Sequence, residues 1–107
     1  MKVAVTGSSG FIGRHLLNHL ATRQVDIVAV TRASEATAAY PPEVQIAGMD
    51  IGVGSPDCYH RLGRPDVLIH LAWGGLPNYS SLHHFETELP GHYQFLKSLV
   101  EAGLPSL

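Results

Sequence analysis

Short apolar runs alternate along the chain with stretches in which apolar residues return every three or four positions, and these two rhythms predict strands and helices in turn. Lys2 to Thr6 carries Val3, Ala4 and Val5 with no polar alternation, the pattern of a strand covered on both faces. From Phe11, the residues Ile12, Leu16, Leu17 and Leu20 share a helical face, with Arg14, His15, Asn18 and His19 between them, which predicts a helix running to about Arg23. Asp26–Thr31 predicts a second buried strand, ended by Arg32 and a small-residue stretch containing Ser34, Thr37 and Ala38. Pro41-Pro42 interrupts the chain, Val44–Ala47 predicts a third strand, and Gly48-Met49-Asp50-Ile51 leads it into a Gly/Pro-rich loop. A short helix fits between Asp57 and Leu62, and Val67–Ala72 is a fourth unalternating apolar strand that ends in the loop Trp73-Gly74-Gly75-Leu76-Pro77. Leu82, Phe85, Leu89, His92, Leu96 and Leu99 then predict a last helix that ends near Gly103 and is bent or restarted at Pro90-Gly91.

Strand, helix, strand in this order implies an α/β fold with a parallel sheet and right-handed crossovers. A length of 107 residues allows one domain, and the apolar share of 45% is enough to give it a core. Lys and Arg number 7 against 9 Asp and Glu, a net charge of -2, so the chain has no basic field to hold nucleic acid or an anionic membrane. Cys58 is the only cysteine, which excludes an internal disulfide and a cysteine-rich zinc module and points to a reducing compartment. No run approaches the ~20 apolar residues that span a bilayer, and Met1-Lys2 leads straight into the first strand without a signal-peptide pattern. A soluble, cytoplasmic protein is expected.

The most informative stretch is Thr6-Gly7-Ser8-Ser9-Gly10-Phe11-Ile12-Gly13, in which three glycines at three-residue intervals join a buried strand to a helix. Glycine in such a turn lets backbone approach a pyrophosphate, and the helix beyond it offers unpaired N–H groups and the positive end of its dipole. The alternative is a tight turn that packs helix on strand and holds no ligand. TGSSGFIG after a terminal strand resembles the TGxxGxxG signature of the extended short-chain dehydrogenase/reductases, the epimerase/dehydratase family of nucleotide-sugar enzymes. Asp50-Ile51 is similar to that family's acidic contact to the adenine, and Pro65 to Trp73, PDVLIHLAW, resembles its fourth strand with the cofactor-facing Leu-Ala pair. The resemblance implies a Rossmann-like doubly wound sheet, cut off after about four strands in the order 3-2-1-4. It also implies a cofactor cleft lined by Gly7, Ser9, Gly10, Phe11, Ile12, Gly13, Asp50, Ile51, Leu71, Ala72 and Trp73. At the end of the second strand stands Arg32 rather than a carboxylate, which predicts NADP(H) in preference to NAD(H).

Catalysis in the family, as the resemblance implies, uses a Ser or Thr after a fifth strand and a Tyr-x-x-x-Lys on the next helix. Tyr93 and Lys97 match the second pattern but lie one strand and one helix too early, so ordinary packing for Tyr93 and a solvated Lys97 are expected and no catalytic residue is assigned. Glu88 stands where the family often has Asn. His15 and His19 share a helix face, and His83-His84 are neighbours, but neither pair has the further ligands a metal needs. His70, inside a buried strand, is expected to be a hydrogen-bonded core residue, Cys58 shows no sign of activation, and Asn78-Tyr79-Ser80 matches a glycosylation sequon by chance. The fourth strand lacks the charges or proline of a natural edge, so residues 1–107 read as the N-terminal cofactor-binding portion of a longer enzyme, with the fifth strand after Leu107 and the catalytic and substrate-binding parts absent.

Leu71 to Pro90 looks like bacterial reductases of dTDP-4-keto-6-deoxyhexoses, which implies hydride transfer to a keto-deoxysugar nucleotide by the complete enzyme and little or no turnover by these residues alone. Two other readings stand beside it. One is a non-catalytic dinucleotide-binding module or degenerate fragment. The other is a homodimer built through the last helix and the bare edge strand.

Overall fold

The unalternating apolar runs at Lys2–Thr6 and Asp26–Thr31 become the centre of a parallel sheet, because a strand covered on both faces can be apolar without alternation, while the run from Val67 forms a half-buried edge strand. In the computed structural model, which describes residues 1–32, 40–52, 57–74 and 78–107, the elements follow one another as β1 (Lys2–Thr6), α1 (Phe11–Leu20), β2 (Asp26–Thr31), β3 (Gln45–Gly48), α2 (Cys58–Arg61), β4 (Val67–His70), a π-helical turn (His84–Glu88) and α3 (Leu89–Ala102). The stretch with Ser34, Thr37 and Ala38, residues 53–56 and residues 75–77 lie outside the described residues. All pairings are parallel and the strand order is β3-β2-β1-β4, the expected order of half a doubly wound sheet. Beyond β4 the chain returns at Ser106, whose carbonyl accepts from Leu68 N–H at 3.0 Å in an isolated parallel bridge opposite Val67.

The period of two along β1 and β2 sends side chains to opposite faces, and each face has its own core. Val3, Val5, Ile27 and Ala29 pack under α1 with Leu17 and Val44. Ala4, Val28, Val30 and Leu68 pack under α2 and α3 with Cys58, Leu62, Phe95, Leu99 and Leu104. Three layers result, helix on sheet on helix, with the carboxyl ends of β1, β2 and β4 opening at one end. Among the described residues no helix is long and apolar enough to cross a membrane.

Several boundaries differ from the expectation. α1 stops at Leu20 rather than Arg23, because Thr22 and Arg23 N–H turn back to the His19 and Leu20 carbonyls in tight i→i−3 bonds. β3 begins one residue later, at Gln45, with Val44 buried just before it. β4 ends at His70, since the N–H groups of Leu71 and Ala72 are drawn to the Thr6 hydroxyl at 3.0 and 3.2 Å.

The last helix shows the largest difference. Pro90 lies in the first turn of α3, where a missing N–H leaves no bond unmade, and Gly103 closes the helix at a left-handed φ of 112°. Before it the π-helical turn inserts an extra residue, so the apolar stripe loses phase. His92, Phe95 and Leu99 are buried, while Leu82, Phe85 and Leu89, expected on the same face, are exposed.

Candidate functional site

The junction of β1 and α1 sets one floor of a cleft. Gly7 takes a φ of 68°, open to glycine without strain, and a Cβ there would stand 2.8 Å from both the Leu71 carbonyl carbon and the Ala72 nitrogen. Gly10 N–H closes the turn onto Gly7 O at 3.2 Å, and the first helical bond of α1 is Arg14 N–H to Gly10 O at 2.9 Å. The preceding N–H groups have no helical partner, and no side chain caps this end. Ser8 is buried and donates to Val30 O at 3.3 Å, which ties the turn to β2.

Above this turn lies a cleft of about 450 Å³ between the ends of β1, β2 and β4 and the start of α3. Of the residues predicted from sequence, Gly7, Ser9, Gly10, Arg32, Asp50, Ile51, Leu71, Ala72 and Trp73 line it. Phe11, Ile12 and Gly13 do not. Phe11 and Ile12 stand 80% and 67% exposed, facing solvent rather than lining the cleft. Gly13 is buried beneath the turn, where a Cβ would overlap Gly7 O and lie 2.7 Å from Ser8 Cα. Its absence of a side chain lets α1 pack on the turn. Asp50 folds its own loop, with Oδ1 accepting from Gly52 N–H at 2.9 Å.

Sequence reasoning did not mark Thr6, Val30, Thr31, Met49, Gly52, Gly74, Thr87, Glu88, Gly91 or His92 as lining residues. Most lie at strand ends or face the cleft only because α3 crosses it. The one available signal was the four-residue spacing of Glu88 and His92, which sets a carboxylate over an imidazole on one helical face. These two belong to a continuous hydrogen-bonded chain. Thr6 Oγ1 lies 2.7 Å from His70 Nδ1, His70 Nε2 lies 2.6 Å from His92 Nδ1, and His92 Nε2 lies 3.3 Å from Glu88 Oε1. Glu88 also accepts from Gly74 N–H and stands 3.1 Å from His83 Nε2. Trp73 stacks on His92, with ring centroids 4.6 Å apart, and donates its indole N–H to His84 Nδ1 at 2.7 Å.

Burial opposes ionisation of Glu88, but the donated Gly74 N–H and the nearby His92 and His83 outweigh it and hold the carboxyl below its ordinary range. Burial first, and the His92 ring second, lower the pKa of His70 from 6.5 to about 4. Between those values the unfolded chain binds a proton that the folded one refuses, so His70 contributes stability in full above pH 6.5 and loses it as the pH falls to about 4. Urea midpoints measured across this window should decline with acid in the native chain and decline less steeply in His70→Gln; equal slopes would show that His70 is not the group responsible.

Tyr93 and Lys97 do not line the cleft. Tyr93 is 59% exposed rather than packed, and Lys97 pairs loosely with Glu101 at 3.9 Å. His15 stacks edge-on against Phe11 at 4.7 Å, and His19 faces Arg23. His70 is hydrogen-bonded as expected, but it is only half-buried, because β4 is an edge strand in which Leu68 alone is buried, and it connects the sheet to α3.

Comparison with known proteins agrees with this geometry. Residues 3–104 match the model of the NAD dependent epimerase/dehydratase family. A dTDP-6-deoxy-L-talose 4-dehydrogenase (NAD(+)) of Aggregatibacter actinomycetemcomitans is 26% identical over 113 aligned positions, which take in 100% of this chain and 40% of that protein. Among solved structures, a UDP-glucose 4-epimerase superposes with a TM-score of 0.79 at 17% identity over 97% of this chain and 33% of its own. The UDP-glucose 4-epimerase of Thermus thermophilus, solved in complex with NAD, gives 0.75 at 20% identity over 97% and 35%. At such identities the structures establish the shared fold, and the chain spans 40% or less of the length of these three relatives.

Proposed function

The chain belongs to the NAD dependent epimerase/dehydratase family, and from that premise we propose that its cleft binds a nicotinamide dinucleotide and that residues 1–107 are the N-terminal cofactor-binding portion of a nucleotide-sugar oxidoreductase. The observation that carries the proposal is the uncapped start of α1 above a glycine turn, opening into a cleft whose far ends hold Arg32 and Asp50 on one side and Trp73 on the other. A pyrophosphate at that helix end would meet the first N–H groups of α1, which have no helical partner, with Gly7 and Gly10 leaving room for its approach. Gly13 would serve by packing, and Phe11 and Ile12 by their backbone. Asp50 and Ile51 would face the adenine, and Leu71, Ala72 and Trp73 would wall the cofactor on the β4 side. The bound dinucleotide supplies hydride acceptance and return, and this chain's residues orient it and screen it from water.

The substrate reading is a keto-deoxysugar nucleotide, in keeping with the dTDP-sugar named for the Aggregatibacter relative. Since Tyr93 and Lys97 stand outside the cleft, binding without turnover is the expected behaviour of these 107 residues. A non-catalytic binding module would behave in the same way. A cytoplasmic location fits the family's cofactor chemistry. The homodimer reading rests on Phe85 of the π-helical turn and Leu89, Tyr93 and Val100 of α3, apolar side chains left exposed.

The finer cofactor reading turns on Arg32. It lies exposed at the cleft end of β2, where a guanidinium suits a 2′-phosphate, and this favours NADP(H). The NAD named for the relatives favours NAD(H) instead. Fluorescence titration of the chain with NADPH and NADH separates the two: tighter NADPH, with Arg32→Asp losing about tenfold of that affinity, is the expected result. Tighter NADH would favour the NAD reading, an Arg32→Asp chain with unchanged NADPH affinity would take Arg32 out of the cofactor contact, and no binding of either would remove the dinucleotide proposal.

A further inference from the structure

The hydrogen-bonded chain through Thr6, His70, His92 and Glu88 can be given a direction. Thr6 Oγ1 accepts from Leu71 N–H at 3.0 Å and from Ala72 N–H at 3.2 Å, which uses both of its lone pairs. Its own proton therefore goes to His70 Nδ1, which must be the unprotonated nitrogen. The His70 proton sits on Nε2 and is donated to His92 Nδ1, so His92 in turn carries its proton on Nε2 and donates to Glu88. Both imidazoles are neutral in this arrangement, and the negative charge rests on a carboxylate that also accepts from Gly74 N–H.

The chain of bonds thus starts at Leu71 and Ala72 and returns to the same segment at Gly74. It crosses β1, β4 and α3 on the way. Leu71, Ala72, Trp73 and Gly74 all line the cleft, so the ring holds a stretch of cleft wall that has left the sheet and has no ladder bonds of its own beyond Leu71. Gly74 shows how close the clamp is, since a Cβ there would meet Glu88 Oε1 at 2.7 Å.

We propose that Glu88 is a positioning residue, its carboxylate clamping the wall Leu71–Gly74 directly at Gly74 and indirectly through His92, His70 and Thr6, so that the dinucleotide meets a preorganised surface. The inference rests on the cleft being a dinucleotide site. The groups facing the carboxylate are Gly74 from the β4 exit, His83 from the π-helical turn and His92 from α3, all donors. A carboxylate so engaged acts as an anchor rather than as a base. Burial, the first cause of the low His70 pKa, agrees with a neutral ring there, and the Gly74 N–H, the largest influence lowering Glu88, agrees with a fixed anion.

The test uses the 107-residue chain, with NADPH and NADH as probes, and the variants Glu88→Ala, Glu88→Gln, Gly74→Ala and the double Gly74→Ala/Glu88→Ala. Losing the clamp from either side should weaken the preferred dinucleotide about tenfold, and the double variant should be no weaker than the weaker single one, because both break the same bond. Glu88→Gln keeps an acceptor oxygen for Gly74 and His92 and should stay within about threefold of the native affinity. Nitrogen-15 shifts of the native chain should show Nδ1 unprotonated and Nε2 protonated in both His70 and His92. Should Glu88→Ala fail to fold, Gly74→Ala and Glu88→Gln carry the same comparison. Native-like affinity in Glu88→Ala or Gly74→Ala, additive losses in the double variant, or a proton on His70 Nδ1 would overturn the proposal. A native chain that binds neither dinucleotide would overturn the cofactor reading itself, and the ring-nitrogen shifts would still report separately whether the hydrogen-bond chain forms.

Discussion

Gly13→Ala is expected to abolish measurable dinucleotide binding and to destabilise the fold by about 1–3 kcal/mol, the usual range for forcing extra volume into a packed interior. The new methyl would overlap the Gly7 carbonyl oxygen and stand 2.7 Å from Ser8 Cα, and neither is a side chain that can swing away. Only a shift of α1 away from β1 relieves the overlap, and that shift opens the turn whose N–H groups face the cleft. Gly10→Ala makes a sharp comparison, because its Cβ would meet a single atom, Gly7 O, at 3.4 Å. Gly10→Ala should therefore keep native stability, and any binding it loses reports on space for the pyrophosphate alone. Urea denaturation and cofactor titration of both variants check this. Equal stability losses at the two positions would show that the packing argument for Gly13 is wrong.

Phe95→Ala is expected to cost about 3–5 kcal/mol, a large part of the roughly 5–15 kcal/mol that a small domain has in total. Phe95 is among the largest fully buried side chains, with 1% of its surface exposed, and it fills the space between α3 and the sheet beside Leu68, Leu99 and Leu104. Its ring lies 5.5 Å from that of His70, so the cavity would open next to the hydrogen-bonded chain as well as within the core. Thermal or urea unfolding should show a chain largely unfolded at temperatures where the native one is intact. A loss under about 1 kcal/mol would mean that α3 collapses onto the sheet without strain, and that this core is more plastic than its packing indicates.

The strand and helix pattern was legible because burial on both faces leaves a mark at every position of β1 and β2 after the first, and the three glycines mark the turn between β1 and α1. The cleft residues at that turn and at the ends of β2 and β4 were legible for the same reason: they are local to motifs. The stripe on the last helix misleads in its first half, since nothing in Leu82, Phe85 and Leu89 announces a π-helical turn that rotates them out to solvent. The motif groups Gly13 with the cofactor residues, and the structure assigns it to packing beneath the turn. Glu88 and His92 left no signal beyond their four-residue spacing, because they reach the cleft only when α3 crosses the end of the sheet.

By itself, then, the sequence determined the order of elements, the parallel α/β architecture and the glycine turn, all consequences of local periodicity and of backbone freedom at single residues. Tertiary structure alone decided which groups meet across the cleft. Thr6 and His70 are 64 positions apart and His70 and His92 are 22 apart, and no local pattern encodes the close approaches that join them. Those contacts arise because β1 and β4 are neighbours in the sheet while α3 packs over both, so hydrogen bonds form between side chains that the chain order keeps far apart.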